Sequence, residues 1–163
     1  MSSQLLSNLI ETLYQKYATN FDGELADYIP ELANANPADF GISVMTADGN
    51  MVSAGTTDKS FTIQSVSKPL AYGMAIELYG PQHVAKYVGV EPSGDVFHSI
   101  VLEKGTNRPF NPMINSGAIT ITSMLYDHYG DETFDIILAR FSEAAGAPLT
   151  VDESVYQSES RTG

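Results

Sequence analysis

Cysteine is absent from these 163 residues, which excludes disulfides, thiolate nucleophiles and zinc–thiolate sites. Histidine is scarce. His83, His98 and His128 stand alone without metal-ligand spacing, and no metal or organic cofactor is implied. Positive charge is short as well: 8 Lys and Arg face 20 Asp and Glu, for a net charge of −12. Such a chain is a poor match for nucleic acid or an anionic membrane. The acidic residues are dispersed, with no block that reads as a disordered tail. No apolar run is long enough to span a bilayer, and Met1-Ser2-Ser3-Gln4 lacks the basic start of a signal peptide. A soluble cytoplasmic protein is the expectation. Repeats and low-complexity segments are missing too. What is present is 43% hydrophobic residues, enough for one core of ordinary size.

Leu5, Leu6, Ile10, Leu13 and Tyr14 recur at helical spacing, and Ser2 or Ser3 is placed to cap a helix over 3–18. Residues 23–32 read as a short helix or turn broken by Pro30. Alternation through Phe40-Gly41-Ile42-Ser43-Val44-Met45-Thr46, then Asp48-Gly49, then Met51-Val52-Ser53-Ala54 predicts a β-hairpin. Residues 60–63 read as a further extended segment. Helices are predicted over 66–79, 82–87, 115–129 and 133–145, the last capped by Asp131. A final helix starts near 151, with capping-box spacing in Thr150-Val151-Asp152-Glu153. Gly117-Ala118 leaves one face small enough for close helix packing. Residues 91–112, rich in Pro and Gly, form a long connection of the kind that has or covers a function. An antiparallel hairpin with helices segregated from it is α+β.

The chemistry centres on Gln64-Ser65-Val66-Ser67-Lys68, where a β-rich stretch gives way to a helix. Positions i and i+3 share a helix face, which brings the Ser65 hydroxyl and the Lys68 amine towards one pocket. Serine is a weak nucleophile unless a neighbour takes its proton, and a partly desolvated lysine is suited to that. The alternative is a solvated serine beside a snorkelling lysine. The apolar run that follows, Pro69-Leu70-Ala71-Tyr72-Gly73-Met74-Ala75-Ile76, is not a solvated face.

Other candidates keep a structural alternative. Asn115, after a prolyl turn and an apolar pair, either aims its carboxamide into a pocket or caps a helix. Glu159 in Tyr156-Gln157-Ser158-Glu159 either binds an ammonium group or lies on a solvated helix face. Tyr28 either reaches a hydroxyl or amine at the Ser65 site or sits at a core edge. Gln64 lies next to the serine, or makes a structural hydrogen bond. Glu91-Pro92-Ser93-Gly94 reads as a turn.

These stretches together resemble the serine-dependent glutaminases, which share a β-lactamase/transpeptidase-like fold. The resemblance rests on Ala26-Asp27-Tyr28-Ile29-Pro30-Glu31-Leu32, Gln64 through Leu70, Tyr87 through Gly94, Asn111-Pro112-Met113-Ile114-Asn115-Ser116-Gly117-Ala118-Ile119 and Tyr156 through Glu159. S-x-x-K is shared by many acyl-serine enzymes, whereas the Asn-Pro-Met-Ile-Asn and Glu-Pro-Ser-Gly segments are more specific. The resemblance implies one domain over 1–163, with a helix and hairpin in 1–64 and mainly helices in 65–163.

Carried onto this sequence, the resemblance makes Ser65 the nucleophile and Lys68 the group that takes its proton. Tyr28 and Gln64 line the site, and Asn115 and Glu159 hold the α-carboxylate and α-ammonium end of L-glutamine. The implied reaction releases ammonia and then L-glutamate through an acyl-serine. A homo-oligomer is implied as well. Family members are longer, and their remaining active-site groups and last strands follow the position of Glu159. The expectation is therefore a chain lacking the C-terminal part. Two other readings are an S-x-x-K hydrolase of β-lactamase type and a non-catalytic interaction module. The first gives no role to the Asn115 segment, and the second gives none to the Ser65–Lys68 pair.

Overall fold

In the computed structural model, residues 3–96 and 100–162 are described. His98 and the Ser2 cap lie outside them. The N-terminal periodicity becomes helix α1 (Ser3–Tyr17), which buries Ile10 and packs on the hairpin that follows. Strands β1 (Gly41–Met45) and β2 (Met51–Gly55) pair antiparallel, with Ile42 opposite Ala54 and Val44 opposite Val52. These alternate residues are the less exposed set, as a period of two requires. Gly55 ends β2 at φ +79°, and a Cβ there would overlap the Phe40 carbonyl and the Tyr14 ring. Tyr14 stacks on Phe40 with centroids 5.7 Å apart, so a bare glycine lets α1 close on the hairpin.

Pro30 does not break a helix, contrary to expectation. It opens a 3-10 turn, Pro30–Asn34, because the first helical position lacks no donor. Helix α6 (Glu153–Thr162) packs against that turn, and Ile29 and Val155 are both buried. Its cap is Asp152 rather than Thr150: Asp152 Oδ1 accepts the Val155 amide at 3.1 Å. The Ser154 hydroxyl, and then this amide, hold the Asp152 carboxyl below the usual carboxylate range. All of these elements belong to one compact unit, made of residues through Thr62 with those from Val151 onward.

The second unit, Ile63–Thr150, is helical. It holds α2 (Ser67–Tyr79), α3 (Pro81–Val84), α4 (Asn115–Tyr129) and α5 (Thr133–Ala145). Ala75, Val84, Val88, Ile121, Leu125 and Phe141 form its core. Each large apolar side chain buried there contributes about 1.5–3 kcal/mol. Three local expectations are corrected. Helix α3 starts at Pro81 and ends at Val84, its remainder winding into tight turns up to Val88. Asp131 does not cap α5, because it lies in a 3-10 turn, Gly130–Glu132, and accepts the Tyr126 hydroxyl at 3.2 Å. Residues 60–63 form no strand.

The connection after residue 100 is more ordered than its composition suggests. Leu102 and Pro109 form an antiparallel bridge, and Arg108 pairs with Glu103 at 2.8 Å while also reaching the Ala85 carbonyl. The Gly89 amide donates to the Pro109 carbonyl at 2.8 Å, and the Glu91 amide to the Phe110 carbonyl at 3.1 Å. The segment is thereby pinned to the end of α3 and delivers the chain to α4. One antiparallel hairpin together with helices in both units is the expected α+β class. No described helix is long and apolar enough to cross a membrane.

Candidate active site

Ser65 sits in the middle of a 3-10 turn, Gln64–Val66, that runs directly into α2. The turn is closed by the Ser67 hydroxyl, which donates to the Gln64 carbonyl at 2.7 Å. Gln64 holds φ at +45°, and among the described residues only one other non-glycine, Asn107, has a positive φ. Backbone strain of this kind costs about 1–3 kcal/mol and persists where the surroundings impose it. Here it stands immediately before the candidate nucleophile, and Ser65 is left exposed. Pro69 falls in the first turn of α2, where its missing N–H costs no helical bond.

Lys68 is the second residue of α2 and is half-buried. Its Nζ donates to Asn115 Oδ1 at 2.7 Å and to the Met113 carbonyl at 3.2 Å. Burial pushes the Lys68 amine below its ordinary value of 10.5. Both acceptors are neutral, so neither adds the charge that would hold the proton on. A neutral amine has two N–H donors and one lone pair. Asn115 Oδ1 and the Met113 carbonyl each accept from Nζ. A lysine accepts a proton from a hydroxyl in its neutral form, which burial favours.

Asn115 settles one alternative left open by sequence. The residue in the cap position of α4 is Ile114, in an extended conformation, and no side chain caps the helix. Asn115 is the first helical residue, and its carboxamide turns to Lys68. Its Oδ1 is the end that accepts from Lys68.

The structure therefore brings Lys68 and Asn115 together and sets Gln64 and Ser65 on the turn that leads into the lysine's helix. Tyr28 and Glu159 belong to the other unit. Tyr28 is 63% exposed just ahead of the 3-10 turn at Pro30, and Glu159 is exposed on α6, which packs on that turn. Among the described residues no group of three His, Cys, Asp or Glu is placed to hold a metal ion.

Sequence reasoning missed the Met113 carbonyl, since a backbone acceptor has no residue signature. It also misplaced the role of Gly117. A Cβ on Gly117 would overlap the Asn111 carbonyl and crowd Pro112 Cα at 2.9 Å, so the small residue seats the prolyl turn rather than a neighbouring helix. The readable signal was a proline, three residues after which an asparagine opens a helix whose third residue is glycine.

Comparison with known proteins gives the family and the fold. The Glutaminase family model matches residues 23–163. Glutaminase 1 of Bradyrhizobium diazoefficiens is 48% identical over 158 residues, which is 97% of this chain and 26% of that protein. Among solved structures, the probable glutaminase ybaS superposes with a TM-score of 0.93 at 32% identity, covering 99% of this chain and 53% of that one. Mglu in its tris and glutamate form gives a TM-score of 0.86 at 38% identity, over 94% of this chain and 35% of that one. The chain thus spans between a quarter and about half the length of the relatives it matches, and along that span the α+β architecture is theirs. On the match over residues 23–163 and these superpositions, the chain belongs to the glutaminase family.

Proposed function

We propose that this chain carries the nucleophile and the base of an amidohydrolase acting on the side-chain amide of L-glutamine. The observation that carries the reading is Lys68 Nζ, desolvated and held by two neutral acceptors three residues after Ser65. Family membership supports it, and so does the glutamate named with the Mglu structure.

In the first half-reaction Ser65 Oγ bonds to the amide carbon while its proton passes to Lys68. The C–N bond then breaks and the nitrogen leaves as ammonia, carrying the proton that Lys68 returns. In the second half-reaction water attacks the acyl-serine, Lys68 takes its proton, and the C–O bond to Ser65 breaks. Lys68 returns that proton to Ser65 Oγ, L-glutamate leaves, and both the serine and the neutral base are restored. Splitting one hard hydrolysis into two acyl transfers is what an activated serine offers. The Ser65 amide, at the start of a helix, suits the developing oxyanion.

Tyr28 completes the catalytic group, and Gln64, Asn115 and Glu159 bind the substrate. Asn115 serves two partners through its two ends: Oδ1 holds Lys68, and Nδ2 is a donor for the α-carboxylate. Glu159 takes the α-ammonium. The working form is a cytoplasmic homo-oligomer.

The test compares the chain with its Ser65→Ala variant for ammonia release from L-glutamine, and for mass gained from a glutamine-derived electrophile. Release and labelling at Ser65 that both vanish in the variant support the proposal. Release that persists in the variant, or an intact Ser65 that takes no label, overturns it.

A further inference from the structure

We propose that Asn111 is a positioning residue that sets the protonation of Lys68 by clamping the Met113 carbonyl. The inference rests on the reading of Lys68 as the base.

Met113 supplies an acceptor for the Lys68 amine, through its backbone oxygen at 3.2 Å. Its own side chain is 42% exposed, so packing of that side chain does not hold the residue in place. The polar clamp around it does. Asn111 Oδ1 accepts the Met113 amide at 3.0 Å, and Asn111 Nδ2 donates to the Glu91 carbonyl at 2.9 Å. One carboxamide thus fixes the amide side of Met113 and ties it to residue 91. Glu91 is itself held by the hydrogen bond its amide donates to the Phe110 carbonyl.

The two flanks of this clamp are equally constrained. On one side the Asn111 carbonyl rests where a Cβ of Gly117 would lie, so the turn cannot settle closer to α4. Pro112 fixes its own φ between the two. On the other side Ile114 is buried, and its carbonyl accepts the Ala118 amide at 3.0 Å as α4 begins. Met113 is left little freedom, and its carbonyl stays on Lys68 instead of turning to water. Loss of the Asn111 carboxamide frees the Met113 amide and lets water replace the carbonyl at Nζ. That exchange is nearly neutral in hydrogen bonds, but it relieves the desolvation that lowers Lys68. The lysine then returns towards ordinary behaviour and is protonated more of the time.

The experiment reads Lys68 itself and needs no turnover. Each protein is labelled briefly with an acylating reagent across a pH series. Mass spectrometry then gives the midpoint for Lys68, with Lys16, Lys59, Lys86 and Lys104 of the same chain as internal standards. In Asn111→Ala the Lys68 midpoint moves up towards the ordinary lysine value. In Asn111→Ser it stays near that of the unsubstituted chain, because a hydroxyl can accept the Met113 amide in the same kind of turn. Where turnover is measurable, kcat in Asn111→Ala falls on the order of 10-fold to 100-fold with KM unchanged.

A merely structural Asn111 would lower the melting temperature and leave the Lys68 midpoint where it was, and that result overturns the proposal. If Asn111→Ala does not fold, Gly117→Ala displaces the same turn from the other side, and an unmoved midpoint there overturns it equally. Failure of the hydrolase reading would show instead as an unlabelled Ser65, whatever Lys68 does.

Discussion

The Lys68 amine donates to the Asn115 carboxamide across 2.7 Å, joining the first turns of α2 and α4 over 47 residues of chain. Neither turn has a side-chain cap to organise it. Further along the same pair of helices the Tyr79 hydroxyl donates to the Met124 carbonyl at 3.0 Å, but the contact at their first turns is made by residues that also carry the candidate chemistry.

Replacing Asn115 by leucine tests that link. The substitution keeps the volume and removes the acceptor without admitting water. A lost hydrogen bond to a charged group costs about 1.5–3 kcal/mol when buried, and Lys68 is only half-buried, so a loss of about 1 kcal/mol is expected. Thermal unfolding measures it. Substrate binding weakens at the same time, because the leucine offers no donor to a carboxylate. An Asn115→Leu chain with unchanged stability and unchanged KM would remove the residue from both roles.

The Lys68 amine lies below its ordinary 10.5 because of burial, and the base must be neutral to act. Activity should therefore rise with pH through the folded value of Lys68 and fall away on the acid side of it. The same shift affects stability. Between the folded value and 10.5 the unfolded chain binds more protons than the folded one, so the Lys68 contribution to stability rises with pH across that window. Below the folded value, where both states carry the proton, the cost of burying the ammonium is present in full. Lys68→Met should abolish turnover and flatten this part of the stability–pH curve. A rate that stays flat into acid would count against Lys68 as the base.

Glu159 is placed by α6 with its carboxylate exposed. In the proposed role, as the partner of an α-ammonium, its charge is the part that matters, because the bond would be charge-assisted. Glu159→Gln should raise KM for L-glutamine about tenfold, the low end for a hydrogen bond to a charged group, and leave kcat close to that of the unsubstituted chain. Initial rates across a substrate series decide it, and an unchanged KM takes Glu159 out of the substrate site.

What the sequence determined by itself was local. The hairpin follows from alternation around Asp48-Gly49, and α2, α4 and α5 follow from apolar periodicity ended by Gly80, Gly130 and Gly146. Those signals act within a few residues of one another and survive without knowledge of the fold. Caps were less legible. Asp152 and Thr150 are both good caps, and the choice between them fell to which one the Val155 amide could reach.

The tertiary structure alone decided how Lys68 is held. No pattern in the chain states that the amine of residue 68 meets the side chain of residue 115 and the backbone of residue 113, because that meeting depends on α2 packing against α4. Nor does sequence separate a capping asparagine from one whose oxygen faces a lysine. The difference is a few ångströms of side-chain direction, set by a prolyl turn seated on a glycine that has no Cβ to push it away.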